Sequence, residues 1–246
     1  MKSTTQQPIA AFDLDGTLFR WQLFHELVFE LKDQGLFDAS TKRDIEQALN
    51  KWQGKEFGWN EYENILLAGL KKHIPGMAVS AFEAAAQKVI DRSGHKIYNY
   101  TRSLADTLKA EGYFLLAVTG SYQEIAEPFA VKYGFDDCIG ALLDRKNGTF
   151  TDKEALRIVY GQKADRIKEY MVGKPLTLNG SVAVGDSGGD ISMLELVDQP
   201  IAFNPSSELL DVASKHGWQI IIERKNIAYR LEKQRDALVL AETIVY

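Results

Sequence analysis

Three short clusters in this chain combine carboxylates, hydroxyls and glycines in a way that could do chemistry. The first is Asp13-Leu14-Asp15-Gly16-Thr17, directly after the apolar run PIAAF. The second is Thr119-Gly120-Ser121, after YFLLAV, and the third is Gly185-Asp186-Ser187-Gly188-Gly189-Asp190, after SVAV. Two aspartates this close raise each other's cost of ionisation. Either a cation sits with them or a reaction uses them. Taken alone, the first cluster reads equally well as a solvated strand end with a turn. A calcium loop of the EF-hand kind fails: it needs an acidic or amide side chain at its fifth position and glycine at its sixth, and these are Thr17 and Leu18. Thr119-Gly120 alone is an ordinary turn. The third cluster is more particular. Its glycines permit close backbone approach, and Asp186 and Asp190 flank a tight strand-to-helix turn that a plain surface loop does not need.

Together the clusters make one site. Residues two apart on an extended chain project to the same side, which places Asp13 beside Asp15, and Asp186 joins them from a neighbouring strand. Three convergent carboxylates with no histidine or cysteine nearby favour Mg²⁺ over zinc. Such an ion would remove the repulsion and clamp a phosphate oxygen, so that an anionic carboxylate can attack a phosphoester.

The elements that must position these residues can be read from periodicity. The runs at 8–12, 113–118, 181–184, 200–203 and 218–222 read as buried strands, and helical patterns lie between them. That alternation predicts an α/β fold, a Rossmann-like open and mostly parallel sheet, in which ligands bind at the carboxyl ends of the strands. Between the first strand and the rest lie four helical patterns. They carry Leu23 to Leu31, Ile45 to Trp52 from a start at Thr41, Ile65 to Leu70 from a start at Asn60, and Phe82 to Ile90. We read them as an inserted α-helical bundle, a cap over 20–96, in a discontinuous core formed by 1–19 and 97–246. Lys146-Asn147-Gly148 predicts a hairpin, and the tail 226–246 reads as a charged helix with Leu231, Leu238 and Leu240.

Composition excludes several classes. With 45% hydrophobic and 26% charged residues in 246, the chain can bury a sizeable core. A net charge of −5 gives no basic field for nucleic acid. No run approaches the roughly 18 apolar residues of a membrane span, and MKSTTQQPIAAF does not pattern as a leader. One cysteine, Cys138, allows no internal disulfide, so the cytoplasm is the expected compartment. Oligomeric state is not readable.

DLDGTLF, VTGS, a later lysine and GDSGGDISML, in that order, resemble the four motifs of the haloacid dehalogenase superfamily of phosphohydrolases. The helical insert after the first motif resembles that family's type 1 cap, and PIAFNPSSELLDVASKHGW resembles its phosphoserine-phosphatase-like branch. The resemblance implies a HAD-like phosphatase acting on a small-molecule phosphomonoester with Mg²⁺. It implies Asp13 as nucleophile, forming an aspartyl-phosphate, and Asp15 as general acid and then base. Asp13, the Asp15 carbonyl and Asp186 would hold the metal, with Asp190 supporting it or the lysine. Thr119 and Gly120 would bind phosphate. Lys153, Lys163 and Lys168 all fall in the window for the lysine; Lys163, before a helix with Ile167, fits the pattern best.

The same resemblance expects a glutamate after the nucleophile to receive a substrate amine, and that position here is Gln22. No arginine motif for a substrate carboxylate appears; the cap arginines are Arg20, Arg43 and Arg92. Arg20, Trp21 and Gln22 are the candidates for substrate specificity, and Trp21 could cover an apolar or cationic group. His25 is read as cap packing. Phosphoserine hydrolysis proper, phosphoryl transfer to an alcohol, and a non-catalytic phosphate-binding protein remain alternatives at this level.

Overall fold

The computed structural model describes residues 6–235 and 237–246, so the reading of the first five residues lies outside it. The first strand, β1 (Gln7–Phe12), is buried on both faces. Ile9 and Ala11 enter one apolar cluster and Ala10 and Phe12 the other, as the alternation of a strand requires. After β1 the chain forms α1 (Leu23–Asp33), α2 (Ala39–Gln53), α3 (Trp59–His73) and α4 (Val79–Ser93). It then returns through α5 (Asn99–Ala110) to β2 (Phe114–Tyr122). α6 (Gln123–Lys132), β3 (Asp137–Ala141) and a small hairpin, β4 (Arg145–Lys146) and β5 (Thr149–Phe150), follow. The hairpin turns at Asn147 and Gly148, both at positive φ. α7 (Lys163–Met171), β6 (Leu176–Gly185), α8 (Ile191–Leu196), β7 (Gln199–Phe203), α9 (Ser207–His216) and β8 (Gln219–Arg224) continue the alternation.

β1 pairs in parallel with β2 on one side and β6 on the other. The three polar clusters therefore stand at or near the carboxyl ends of three adjacent strands. α1 to α4 carry their own apolar faces, including Leu27, Ile45, Leu66, Phe82 and Val89, all buried. Two helix starts differ from the sequence reading. α2 begins before Thr41 because Asp38 Oδ1 accepts the Thr41 amide at 2.8 Å. α3 begins before Asn60 because Glu61 reaches back to the Gly58 amide at 2.7 Å. In both, the available cap side chain, rather than the first apolar residue, sets the boundary.

The charged tail is not helical. It forms β9 (Ile227–Gln234) and β10 (Ala237–Val245), which extend the sheet antiparallel in the order β10-β9-β8-β7-β6-β1-β2-β3. Leu231 pairs with Leu240 across the ladder. The leucine spacing suggested a helix face, but Ile227, Tyr229 and Leu231 alternate with period two, and β8 offers an open edge to pair with.

One buried carboxylate joins the two ends of the chain. Glu223 of β8, 5% exposed, accepts from Arg20 Nη2 at 2.6 Å and from the Asn99 and Tyr100 amides at 3.1 and 2.9 Å. It thereby satisfies the first amides of α5 and pins residue 20 where the chain leaves the core. Glu223→Ala should lower unfolding free energy by about 2–4 kcal/mol, because it leaves buried donors and a half-buried guanidinium unpaired. A urea titration measures this, and a change below about 0.5 kcal/mol would refute the role.

Candidate active site

Asp13 continues the ladder of β1: its amide donates to the Val184 carbonyl at 2.9 Å. The strand itself ends at Phe12, so the alternation that puts Asp13 and Asp15 on one side does not extend through them, and their carboxylates find different partners. Asp15 Oδ1 accepts the Leu23 amide at 2.5 Å, and its Oδ2 accepts from the Thr119 and Ser121 hydroxyls at 2.8 and 2.7 Å. The chain can turn there because Gly16 has φ +80°. A side chain at Gly16 would also collide with Asp186, whose Oδ2 lies 2.3 Å from the position of a Cβ.

Lys163, the first residue of α7, is 4% exposed. Its Nζ lies 2.6 Å from Asp13 Oδ1 and 2.5 Å from Asp190 Oδ1. Lys153 and Lys168 are exposed. Asp190 Oδ2 accepts the Asp186 and Ser187 amides at 3.0 and 2.9 Å and the Ser187 hydroxyl at 3.0 Å. Asp190 thus clamps the turn that presents Asp186 and grips the lysine with its other oxygen. Gly185 makes room for it, since a Cβ there would sit 2.4 Å from Asp190 Cβ. Thr17 Oγ1 donates to Asp186 Oδ1 at 3.0 Å.

Asp13, Asp186 and Asp190 each bring a carboxylate oxygen within 4.8 Å of the others. Three carboxylates face one ammonium, so the cluster lacks two positive charges when fully ionised. Burial raises the Asp13 carboxyl well above the usual carboxylate range despite Lys163. Burial and the Asp190 charge push Asp186 up to about 7. Burial also raises Asp15, against the bonds from Ser121, Leu23 and Thr119. Burial would lower the Lys163 ammonium, but Asp13 and Asp190 outweigh it and hold its proton firmly. An all-oxygen, net-negative donor set of this kind fits a hard divalent ion such as Mg²⁺.

The other candidates fall elsewhere. Arg20 lies over the Tyr98 ring and bonds Glu223 and the Ile97 carbonyl, so it is tied to the sheet and not free to meet a ligand. Gln22 takes the N-cap position of α1 without a side-chain capping bond. Trp21 joins a cluster of cap aromatics that includes the fully buried His25. Thr17, Ser121 and Ser187 belong to the bonded network and were not singled out by sequence; they sit inside the three clusters, and the hydroxyl beside each aspartate was the available signal. Tyr160 gave no signal. It is 75% exposed and lies over two glycine turns, 3.7 Å from a Cβ at Gly120 and 3.2 Å from one at Gly189.

Because burial pushes the Asp186 carboxyl up to about 7 from its ordinary 3.8, the folded state holds more protons between these values. Its contribution makes stability fall as pH rises through that window. In chelator, Tm should fall more steeply from pH 4 to 8 in wild type than in Asp186→Asn, and Mg²⁺ at pH 8 should restore it. Equal slopes in a calorimetric pH series would contradict this account.

Comparison with known proteins places the chain in a family. A family model described as haloacid dehalogenase-like hydrolase matches residues 10–195. A phosphoserine phosphatase of Mycobacterium tuberculosis is 28% identical, over 89% of this chain and 73% of that protein. A histidinol-phosphatase of Neisseria meningitidis is 26% identical, over 87% of this chain and 97% of that protein. Among solved structures, a Bordetella pertussis protein of unknown function superposes with a TM-score of 0.70 at 22% identity, covering 89% of this chain and 99% of that one. An apo phosphoserine phosphatase superposes with a TM-score of 0.60 at 20% identity, covering 89% and 94%; both share the fold. With three strand-end clusters on a mostly parallel sheet and a family match across most of its length, the chain belongs to the haloacid dehalogenase-like hydrolases, as a phosphatase.

Proposed function

We propose that this chain is a Mg²⁺-dependent phosphatase that hydrolyses a small-molecule phosphomonoester through an aspartyl-phosphate on Asp13. Residues 20–96 form the cap, and 1–19 with 97–246 the catalytic core. The observation that carries the reading is the Lys163 ammonium held, buried, between Asp13 and Asp190. It orients the Asp13 carboxylate and supplies fixed positive charge where a transferring phosphoryl group would gather negative charge.

Asp13 attacks phosphorus as the bond to the alcohol oxygen breaks. Asp15, whose carboxyl burial raises above its ordinary value, gives a proton to the leaving alcohol. Water then attacks the aspartyl-phosphate and returns a proton to Asp15, and Asp13 leaves as the carboxylate. Thr119 Oγ1, now bonded to Asp15, and the Gly120 amide receive phosphate oxygens. Asp13, the Asp15 carbonyl and Asp186 would hold Mg²⁺, which when bound offsets the charge of carboxylate and phosphate together.

Relatives act on phosphoserine and on histidinol phosphate by name. Against phosphoserine stand the uncharged Gln22 and the engagement of Arg20 with Glu223 and of Arg92 with Glu30 and Glu26. Phosphate release from a panel of phosphomonoesters, with Mg²⁺ and with chelator, tests the proposal. Asp13→Asn should lose about 10³-fold or more in kcat, and Lys163→Met about 10²–10³-fold. Turnover that survives in Asp13→Asn, or that ignores chelation, would sink it. Adding alcohols and finding new phosphoesters would show transfer in place of hydrolysis.

A further inference from the structure

The cap's tryptophans bear on the substrate's alcohol, an inference that rests on the phosphatase reading above. Trp21 leaves the catalytic loop directly. Its carbonyl accepts the Gly16 amide at 3.0 Å, and two residues later the Leu23 amide holds Asp15. The Trp21 ring meets Trp52, at the end of α2, at 5.6 Å and Trp59, at the start of α3, at 5.7 Å; Trp52 and Trp59 lie 5.5 Å apart. All three tryptophans pack against the buried core of the cap and are themselves partly open to solvent, unlike Phe82 and Tyr62 at 0% exposure; Trp21 links them to the catalytic loop.

Glu63 brings a carboxylate to this surface. Beneath it His25 is fully buried, stacked on Trp59 at 5.0 Å, with neither ring nitrogen hydrogen-bonded. Glu63, its side chain 34% exposed, brings Oε1 to 3.8 Å from His25 Nε2. Several nearby cations are engaged elsewhere: Arg20 with Glu223, Arg92 with Glu26 and Glu30, and Lys51 over the Phe57 ring at 4.8 Å. Gln22, between Trp21 and α1, is neutral. Electron-rich ring faces with an adjacent carboxylate attract a cation, tryptophan most strongly, and Arg20 and Arg92 are already paired with carboxylates rather than open to one on a substrate.

We propose that Trp21, Trp52 and Trp59, with Glu63 as counter-charge, receive the alcohol portion of a phosphomonoester that carries a cationic nitrogen and no carboxylate. The discriminating pair is choline phosphate and 3,3-dimethylbutyl phosphate, equal in shape and different in charge, with phosphoserine as the carboxylate-bearing case and methyl phosphate as the bare ester. Steady-state kinetics should show kcat/KM about tenfold or more higher for choline phosphate than for its neutral isostere, expressed in KM. Trp59→Leu and Glu63→Gln should bring that ratio toward one, and Trp59→Phe should keep part of it. Glu63→Gln changes a side chain open to solvent, so it carries the test if Trp59→Leu does not fold. Equal use of the isostere, or preference for phosphoserine, overturns this inference while leaving the phosphatase reading intact. No Mg²⁺-dependent turnover of any ester, methyl phosphate included, overturns the phosphatase reading. In that case tryptophan fluorescence decides the inference: quenching by choline and not by 3,3-dimethylbutan-1-ol upholds it, and equal quenching rejects it.

Discussion

The centre of this molecule depends on one buried ammonium. Lys163 Nζ stands between Asp13 and Asp190 with almost no access to water. Burying any of these charges alone would be prohibitive, and removing one partner would strand the others. The three are therefore tenable only as a set, which ties the start of α7, the end of β1 and the turn after β6 to a common geometry. Asp190 transmits that constraint further, because its second oxygen holds the Asp186 and Ser187 amides. The lysine does not neutralise the set completely. The remaining negative charge is expressed in the raised Asp13 and Asp186 carboxyls, and it is of the kind a hard divalent ion fits.

The sheet supplies the rigidity this arrangement needs. β1 lies between β2 and β6 and is apolar on both faces, so it cannot slip by one residue without exchanging the contents of two cores. Asp13 inherits that register. The Asp15 carboxylate, one step beyond the strand, is instead oriented by groups from two other segments: the Leu23 amide of the cap helix and the hydroxyls of Thr119 and Ser121 from β2. Movement of the α1 end would thus be felt first at Asp15. Glu223 works on the opposite side of the cap junction, where it joins Arg20 to the start of α5. The cap is consequently attached to the core through polar contacts at both of its chain crossings.

The three clusters, their strand-end positions and the helical insert were legible in sequence because each rests on local signals: an apolar run, a change of period, a glycine where the chain must turn. Identical local signals misled at the tail. Leu231, Leu238 and Leu240 fit a helix face on spacing alone, and only the open edge of β8 turned the segment into β9 and β10. Arg20 shows a different limit. It lies close to the Asp13–Thr17 loop in the chain, but its partner Glu223 lies 203 residues away, and no local pattern reports a bond of that separation.

What the sequence determined by itself was the local inventory: which carboxylates, hydroxyls and glycines stand together after buried strands, in an order that matches a hydrolase family. Tertiary structure alone decided that Thr119 and Ser121 hold Asp15 and that Trp21 meets Trp52 and Trp59, and it buries against Asp13 the Lys163 that the motif pattern favoured over Lys153 and Lys168. The physical reason is the range of the interactions. Backbone propensity and apolar periodicity act over a few residues and are written along the chain. A charge pair or a ring contact acts across space, and its partner is chosen only when the sheet and the cap have closed around it.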